Sequence, residues 1–354
     1  MTRDEAAAGR VRLGIIGARF AADVQAPAFR RDDRCELTGI ASANPDRAAR
    51  AAARLGDITV HEDWRRLIAD DRTDAIAVAV PPAIQPRIAI DALACGKPVF
   101  AEKPMALTAA LASQMRDAAT TAGVANMVDF AFVGIPSWRE AKARLDAGAI
   151  GGLRHVAVTW NVETRANVLR SRSWKTVRSQ GGGTLFNFAS HLFHYLEWFG
   201  GPLAGMAVRS FPAANGDEES DTVVTVAAGY RSGASASASV STAAFMGSGH
   251  RLEFYGEEGS LFLENPTRSY MRGFTLREAT RKEAAWGQIG AADAAVDPDL
   301  DERVGAVAYL AGCFLDWITG GQPCGPNFSD GLRVQTLLEV AQRSHRSGSW
   351  VDIT

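Results

Sequence analysis

The chain has 354 residues, of which 47% are hydrophobic and 22% charged, and its formal net charge is −2 at pH 7. This near-neutral balance gives no electrostatic reason to expect nucleic acid or an anionic membrane as a partner. No stretch of about 18 apolar residues is present, so the sequence predicts no membrane-spanning helix. A chain of this length is too long for one ordinary core and fits two domains.

Cysteine usage and the first residues bear on the cellular compartment. Cys35, Cys95, Cys313 and Cys324 are scattered without a C-x-x-C pair, which is typical of reduced thiols. Residues 1–10 are polar and alanine-rich and lack the apolar run of a secretory signal. We therefore expect a cytoplasmic protein.

Residues 1–128 are predicted to form the first domain, because short aliphatic runs alternate with helical patterns from residue 11 onward. The predicted strands are Val11–Ile16, Glu36–Ala41, Ala75–Val80, Pro98–Ala101 and Ala125–Phe130, and the predicted helices are Phe20–Arg30, Pro45–Leu55, Asp63–Ala69, Ile84–Cys95 and Leu107–Thr121. Aliphatic strands separated by helices indicate a parallel sheet covered on both faces. The prediction is a doubly wound α/β Rossmann domain.

Residues 129–354 are predicted to form the second domain, because strands here follow one another with turn signals between them. The predicted strands are Val156–Val162, Gly205–Ser210, Thr222–Gly229, Ala234–Ser241, Arg251–Tyr255 and Ser260–Leu263, and helices at Arg303–Thr319 and Ser329–Arg346 close the chain. Successive strands indicate a largely antiparallel open sheet. The prediction is an α+β domain.

The first predicted strand runs into the turn Gly17-Ala18-Arg19-Phe20. Dinucleotide-binding folds need glycine here, and the N-terminus of the following helix receives the pyrophosphate. Gly17 and Ala22 match the first and third positions of G-x-G-x-x-G/A, whereas Arg19 stands at the second. The Arg19 side chain must therefore point outward or contact phosphate itself. The motif alone also fits a glycine turn that binds no nucleotide.

The end of the second predicted strand bears on the choice between NAD(H) and NADP(H). An acidic residue there would hold the ribose hydroxyls and repel a 2′-phosphate. Here the strand is followed by Ser42, and no carboxylate precedes Asp46. Ser42 can donate to a phosphate, and Arg19 or Arg47 can supply charge, although Arg47 also fits a solvated helix residue. The cofactor prediction is NAD(P), with NADP slightly favoured.

Glu102 and Lys103 follow the fourth predicted strand. This is the carboxyl edge of the sheet, where ligands of open α/β folds bind. Pro104 keeps Lys103 in an extended conformation. A lysine amine facing a cofactor at this edge can exchange a proton with a substrate oxygen. Taken alone, Lys103 also fits an exposed surface lysine.

With later motifs, these features resemble the glucose–fructose oxidoreductase/inositol dehydrogenase family, written Gfo/Idh/MocA. The matching stretches run in order along nearly the whole chain: the Gly17 turn, Val80-Pro81-Pro82, Ala94–Val99, Glu102-Lys103-Pro104, Gly148–Gly151, Trp174, Gly181–Gly183, Ser190-His191, Arg251–Gly256 and Asp330–Arg333. The Glu-Lys-Pro element in its place after the fourth strand is fairly specific for the family.

The resemblance implies an N-terminal nucleotide domain, an active site between the domains, and a C-terminal open sheet that often forms homo-oligomer interfaces. Family members oxidise or reduce sugars, inositols and related polyols, and the lysine of Glu-Lys-Pro serves at the reacting oxygen. Carried over, that role falls on Lys103. The resemblance also puts Glu102 near the cofactor and Pro81, Pro82 and Gln85 along the nicotinamide side.

Many family members carry Asp-x-x-x-His on a helix beside the lysine, and the corresponding residues here are Asn187 and His191. Residues four apart face one side of a helix. His191 can carry a proton near neutral pH, whereas the Asn187 amide can only orient substrate or water. His194 stands where an aspartate is common. Either histidine also fits a core position, and without a third ligand no metal is predicted.

Trp174 and Arg172 lie in the segment before the glycine-rich turn. They suit recognition of a polyol or of a negatively charged substituent, and they equally fit a basic solvated loop. With Asn187, His191 and His194 they form the predicted substrate-binding set.

The absence of the usual aspartate leaves alternatives open. We predict an NAD(P)-dependent dehydrogenase or reductase acting on a CH–OH group of a sugar or polyol, with Lys103 as principal acid/base and His191 assisting. A catalytically silent NAD(P)-binding sensor and an NAD-dependent glycoside hydrolase, in which transient oxidation acidifies a neighbouring C–H, are the alternatives. Retention of both Lys103 and His191 favours the dehydrogenase.

Overall fold

The computed structural model describes residues 9–56, 58–169, 172–212, 220–290 and 299–354. The chain divides into two compact units. The first comprises the described residues of Met1–Gly134 and Pro298–Arg333, and the second those of Ile135–Asp297 and Val334–Thr354. The sequence predicted one domain boundary, after residue 128. In the structure the first unit also contains Pro298–Arg333, a second segment near the C-terminus.

The helices and strands are numbered along the chain. The strands are β1 (Val11–Ile16), β2 (Cys35–Ala41), β3 (Thr59–His61), β4 (Ala75–Val78), β5 (Val99–Ala101), β6 (Asn126–Val128), β7 (Leu153–Asn161), β8 (Leu203–Pro212), β9 (Asp221–Tyr230), β10 (Ser235–Ser241), β11 (Gly249–Gly256), β12 (Gly259–Asn265), β13 (Thr275–Thr280), β14 (Gly287–Ile289) and β15 (Val351–Asp352). The α-helices are α1 (Ala26–Phe29), α2 (Pro45–Leu55), α3 (Trp64–Ala69), α4 (Gln85–Ala94), α5 (Ala109–Ala122), α6 (Pro136–Asp146), α7 (Arg165–Val168), α8 (Thr184–Asn187), α9 (Ala189–Gly200), α10 (Val304–Ile318) and α11 (Phe328–Ser347). A π-helical turn, Ala21–Gln25, runs directly into α1.

The sheet of the first unit has the strand order β3-β2-β1-β4-β5-β6, and every pairing in it is parallel. This is the doubly wound order of dinucleotide-binding domains, so the predicted Rossmann fold is confirmed. Strand β3 was not predicted. It is a short edge strand, and its central Val60 is 44% exposed, so it lacks the aliphatic run that marks a central strand.

Capping residues fix the ends of helices α2 and α5 in the first unit. The side-chain oxygen of Asn44 accepts the Arg47 N–H at 2.9 Å, and Pro45 starts α2 behind it. The Thr108 hydroxyl accepts the Leu111 N–H at 3.2 Å at the start of α5. Gly123, at φ +63°, ends the same helix in the left-handed conformation. Each cap satisfies a backbone group that the helix itself leaves without a partner.

An aromatic cluster explains why a late segment belongs to the first unit. Phe29 of α1, Phe100 of β5 and Phe314 of α10 are fully buried, and their ring centroids lie 5.2–6.1 Å apart in edge-to-face arrangements. Such pairs contribute about 0.5–1.5 kcal/mol each beyond the burial of their area. Helix α10 therefore completes the core of the parallel-sheet unit.

The sheet of the second unit has the order β14-β13-β12-β11-β7-β10-β9-β8-β15. Within the described strands every pairing is antiparallel except that of β7 with β10. The predicted largely antiparallel sheet is confirmed. Strands β13–β15 and helix α6 were not predicted. In β13 the charged residues Arg277 and Glu278 hid the strand signal, and Arg277 pairs with Glu264 of β12 at 2.6 Å.

One face of this sheet is buried and the other is open. Along β10, Ala236, Ala238 and Val240 are buried, whereas Ser235 and Ser237, which alternate with them, are exposed. The buried face packs against α6 and α9 through aromatic rings. Trp138 of α6 lies 5.1 Å from Tyr195 of α9 and 5.5 Å from His250 of β11, and His250 stacks on Trp160 of β7 at 4.2 Å. In the described part of the chain, the helices lack the combination of length and apolar character that crossing a bilayer requires.

The contact between Gly134 and α10 yields a stability prediction. A Cβ at Gly134 would lie 2.1 Å from the carbonyl oxygen of Ala306, so the backbone would have to move. We expect Gly134→Ala to lower the free energy of unfolding by about 1–3 kcal/mol, as overpacked sites do. Denaturant unfolding followed by tryptophan fluorescence measures the change.

Gly312→Ala, in α10 itself, is the matched control. A Cβ there would meet no atom within 4 Å, and replacing a helix-interior glycine by alanine is expected to stabilise by about 0.5–1 kcal/mol. Equal unfolding free energies for the two variants would contradict the close packing of Gly134 on α10.

Candidate functional site

The predicted cofactor residues collect at one edge of the first unit's sheet. Each predicted residue follows the carboxyl end of a parallel strand: Gly17, Ala18, Arg19 and Phe20 follow β1, Ser42 follows β2, Pro81, Pro82 and Gln85 follow β4, and Glu102 and Lys103 follow β5. Because parallel strands end at the same edge, these residues lie along one edge of the sheet. The predicted substrate residues Arg172, Trp174, Asn187, His191 and His194 lie in the second unit.

The turn after β1 accepts no side chain at its glycine. Gly17 has φ +123°, and a Cβ there would lie 2.4 Å from the carbonyl oxygen of Ala79. The Gly17 N–H donates to the carbonyl of Ala41 at 2.9 Å, which holds the turn between β2 and β4. Among the described residues no side-chain cap is found for the helical turn that begins at Phe20, and Rossmann folds receive a pyrophosphate at the N-terminus of this helix. The turn therefore fits a dinucleotide.

Two arginines border this turn. Arg19, at the position where the motif usually has its second glycine, has an exposed side chain. Arg303, which precedes α10, lies with its guanidinium 4.9 Å from the centre of the Phe20 ring. The sequence analysis missed Arg303, since it comes from the late segment and no motif surrounds it. Both place positive charge beside a site that suits phosphate.

Ser42 occupies the position that usually discriminates between the two nicotinamide cofactors. Its hydroxyl oxygen accepts the Asn44 N–H at 3.2 Å, so the hydroxyl hydrogen can still be donated. Asn44 caps α2, and Asp46 and Arg47 are exposed on the first turn of that helix. No carboxylate stands at the strand end itself.

Gln85 holds the segment that carries Lys103. This side chain is fully buried, and its nitrogen donates to the carbonyls of Glu102 at 2.6 Å and Met105 at 3.0 Å. Its oxygen accepts the Glu102 N–H at 3.1 Å. The carboxamide of Gln85 is thus bonded to the backbone of residues 102–105, and in the structure it positions the lysine segment. Pro81 and Pro82 precede it at the end of β4.

Lys103 is half-buried at the sheet edge. Its backbone N–H donates to the Glu102 carboxylate at 2.8 Å, and the Glu102 N–H donates to the carbonyl of Val78 at 2.9 Å. The peptide bond from Lys103 to Pro104 is cis. A further carboxyl, Asp129, follows β6 beside this segment and was missed by the sequence analysis, which read Ala125–Phe130 as strand. Burial and then the charge of Glu102 raise the pKa of Asp129 well above its ordinary value.

In the second unit, Asn187 ends α8 and His191 lies on α9, so the two residues are not on one helix as predicted, because the chain leaves the helix at Phe188. Both are buried, with exposed fractions of 7% and 3%. The Asn187 side-chain nitrogen faces the carbonyls of Lys175, Gly181 and Gly183 at 3.2–3.4 Å, so this amide holds the glycine-rich turn together. The His191 ring centre lies 6.3 Å from that of Trp160.

His194 is buried on the same helix, and desolvation lowers the pKa of its imidazole to about 3. It is therefore neutral across the working range of most enzymes and can form hydrogen bonds without carrying a proton into solution. In the segment before this helix, Trp174 is half-buried, the Lys175 amine lies 5.6 Å from its ring centre, and Arg172 is exposed.

Asp221, at the start of β9, anchors the histidine segment. Its carboxylate accepts the Leu185 N–H at 2.7 Å, and its carbonyl accepts the Thr184 hydroxyl at 3.1 Å. Gly183, at φ +98°, lets the chain pass so close that a Cβ would lie 2.4 Å from the Asp221 carboxylate. No local sequence signal connects Asp221 to the helix that it caps. Within the described ranges, no group of three or more His, Cys, Asp or Glu residues is arranged to hold a metal ion.

Comparisons with known proteins agree with this geometry. A family profile described as "Oxidoreductase family, NAD-binding Rossmann fold" matches residues 11–130, and one described as "GFO/IDH/MocA C-terminal domain" matches residues 138–262. Levoglucosan dehydrogenase of Pseudarthrobacter phenanthrenivorans is 26% identical over 89% of this chain and 88% of its own. Inositol 2-dehydrogenase 1 of Saccharopolyspora erythraea is 26% identical over 97% of this chain and 96% of its own.

Solved structures share the fold along the full chain. Levoglucosan dehydrogenase in complex with NADH and levoglucosan superposes with a TM-score of 0.87 at 23% identity, covering 97% of this chain and 99% of that one. An oxidoreductase domain protein from Kribbella flavida gives 0.87 at 24% identity, covering 98% and 99%. The two family profiles together match residues 11–130 and 138–262, more than half of the chain, and this chain therefore belongs to the Gfo/Idh/MocA family of NAD(P)-dependent oxidoreductases.

Proposed function

We propose that this protein is a dehydrogenase that interconverts a secondary alcohol and a ketone on a sugar, an inositol or a related polyol, with the Lys103 amine exchanging the proton of the reacting oxygen. The observation that carries the proposal is the placement of Lys103. It follows a central parallel strand at the carboxyl edge, and the side chains of Gln85 and Glu102 bind its segment. A sheet edge with a glycine turn after β1 and a braced lysine after β5, with β4 between them, suits hydride transfer.

When bound, the nicotinamide would accept a hydride from the carbinol carbon or return one to it. The protein supplies the proton chemistry. During oxidation the neutral Lys103 amine takes the hydroxyl proton, and during reduction the ammonium returns it. Gln85 contributes by fixing the backbone of residues 102–105, because a misplaced base loses much of its rate advantage.

The names of relatives support the substrate class. Two relatives that cover most of this chain are called levoglucosan dehydrogenase and inositol 2-dehydrogenase, and both names denote oxidation of polyhydroxylated rings. For this chain we propose His191 as a second proton carrier. We propose His194, Arg172 and Trp174 as contacts to substrate hydroxyls or ring faces, with Asn187 keeping their segment in place.

We further propose that the cofactor site accepts both NAD(H) and NADP(H), with NADP(H) bound somewhat better. Ser42 can donate its hydroxyl to a 2′-phosphate, and the exposed Arg19 and Arg47 supply positive charge. The end of β2 carries no carboxylate, which would have repelled that phosphate.

The proposal also includes a homo-oligomer formed through the open face of the second unit's sheet. Exposed positions on β9 and β10 carry small side chains, among them Ala227, Ser235 and Ser237, which would let a second copy approach closely. Light scattering of the purified protein measures its mass in solution. A monomer at micromolar concentration would contradict this part of the proposal.

The first kinetic prediction concerns Lys103. With the substrate that responds in a panel of sugars, anhydrosugars and inositols, Lys103→Met is expected to lower kcat by about 10²–10⁴-fold, since general acid–base catalysis is lost. Absorbance of the reduced nicotinamide measures turnover, and cofactor fluorescence titration shows whether binding persists.

Lys142→Met, on the surface of α6, is the control and should keep full turnover. Full turnover of Lys103→Met would contradict the assigned role. If the parent protein binds nucleotide but turns over no polyol, a sensor is indicated. Cleavage of aryl glycosides without net change in cofactor absorbance would indicate a glycoside hydrolase.

The second kinetic prediction concerns cofactor choice. Ser42→Asp places a carboxylate where a 2′-phosphate would lie, so kcat/KM for NADP(H) is expected to fall at least about tenfold relative to that for NAD(H). Ser42→Ala, which removes the hydroxyl without adding charge, should shift the ratio much less. An unchanged NADP/NAD ratio in Ser42→Asp would show that the 2′ position lies elsewhere.

A further inference from the structure

Two buried polar side chains, Gln25 and Asp129, meet at the end of β6. Gln25 is fully buried and ends the π-helical turn that follows Phe20, and Asp129, which is 2% exposed, directly follows β6. The side-chain nitrogen of Gln25 lies 3.5 Å from Oδ2 of Asp129, at the long limit of a hydrogen bond. The backbone N–H of Asp129 donates to the carbonyl of Ala101 at 2.8 Å. The two side chains therefore connect the first helical turn to the strand ends beside the lysine segment.

Each of the two groups has a second oxygen that lacks a donor. Among the described residues, neither Oδ1 of Asp129 nor Oε1 of Gln25 accepts a hydrogen bond. The oxygens of an ionised carboxylate and of an amide only accept, so an ionised Asp129 would leave two buried acceptors unsatisfied, which is costly. A proton on Oδ1 of Asp129 would supply the donor that both oxygens lack.

The backbone that carries Gln25 is also unusual. The Ala26 N–H donates to the carbonyl of Ala21, five residues back, which makes Ala21–Gln25 a π-helical turn. Such turns are rare and occur frequently at functional sites. Because a π-helical turn holds more backbone between its hydrogen-bonded groups than an α-helical one, it changes the direction in which its side chains point. Here Gln25 points inward and none of it is exposed.

The charges around Asp129 also bear on its protonation. Glu102 and Lys103 follow the end of β5, and Arg303 directly precedes α10. Burial and, after it, the charge of Glu102 raise the pKa of Asp129 well above its ordinary value, whereas the Gln25 N–H, Lys103 and Arg303 oppose that rise. The net direction agrees with the proton that the hydrogen-bond pattern requires.

We propose that Asp129 is an uncharged carboxylic acid near neutral pH and forms two hydrogen bonds with the carboxamide of Gln25, an arrangement called here the acid–amide pair. The acid O–H donates to Oε1 of Gln25, and the Gln25 N–H donates to the acid carbonyl, so the pair buries no charge. Both are positioning residues, because the pair holds the turn that begins the pyrophosphate helix against the end of β6. This inference goes beyond hydride transfer and does not depend on the role of Lys103.

Infrared difference spectroscopy tests the protonation of Asp129. Near neutral pH, we expect the unaltered protein to show the carbonyl stretch of a protonated carboxyl that is missing from Asp129→Asn. Asp74→Asn is the matched control, because hydrogen bonds from Arg12 lower the pKa of Asp74 and keep it ionised. This control should keep the acid band. Spectra of the unaltered protein and of Asp129→Asn that show the same acid bands would overturn the proposal.

Gln25→Met tests the pairing itself, and it also serves should Asp129→Asn fold poorly. This variant removes the N–H that binds the acid carbonyl, so the acid band is expected to move to higher wavenumber. A band that keeps its position would show that the protonated carboxyl does not bind Gln25, and the acid–amide pair would be rejected.

Cofactor affinity tests the positioning role without any turnover. In a fluorescence titration with NADPH, Gln25→Met is expected to bind about fivefold more weakly, the factor that corresponds to one lost hydrogen bond. Asp129→Asn can restore both hydrogen bonds, because its amide donates to Oε1 of Gln25 and accepts from the Gln25 nitrogen. It should therefore bind NADPH more tightly than Gln25→Met. Equal affinities of the two variants would contradict the positioning role.

The pH dependence of stability reports the sign of the effect. The pKa of Asp129 in the folded protein lies above that of an unfolded aspartate, about 4, so the folded protein binds one more proton between these two values. Relative to Asp129→Asn, the melting temperature of the unaltered protein is expected to fall as pH rises through this interval. A difference that stays constant or increases with pH would mean that Asp129 is ionised, and the proposal would fail.

Discussion

The arrangement of the sheet edge around Lys103 depends on the hydrogen bonds of the Gln85 carboxamide. One buried side chain forms hydrogen bonds with four backbone groups of residues 102–105, and these bonds join the start of α4 to the segment after β5. Each bond contributes about 1 kcal/mol, but a buried donor or acceptor left without its partner costs more than that. The backbone position of Lys103 is therefore set by the side-chain amide of Gln85.

In the second unit, too, hydrogen bonds from buried side chains to the backbone hold the segment that carries the candidate residues. The amide of Asn187 and the carboxylate of Asp221 are both bonded to backbone groups around the glycine-rich turn. The Asn187 amide braces the turn, and burial lowers the pKa of His194 to about 3, so its imidazole stays neutral near pH 7.

Much of this fold was predictable because its signals are local. The aliphatic run of β1 and the proline-started, asparagine-capped helix α2 match their predicted bounds, and the order of motifs along the chain identified the family before any contact was known. The rest depends on contacts distant in sequence. No periodicity indicates that Phe314 packs on Phe29, that Asp221 caps α8, or that Asp129 lies beside Lys103. Strand β3 was not predicted, because an exposed edge strand needs no aliphatic run.

The aromatic triad of Phe29, Phe100 and Phe314 has a consequence for shortened forms of the chain. The first unit is assembled from two separate stretches of chain. A gene fragment ending near residue 134 would therefore encode a protein that lacks Phe314 and exposes the apolar surface around Phe29 and Phe100. Most of the second unit is, in effect, a cassette inserted into the first. Residues 135–297 therefore lie between the two segments that build the core of the first unit, and both segments must be present for that core to close.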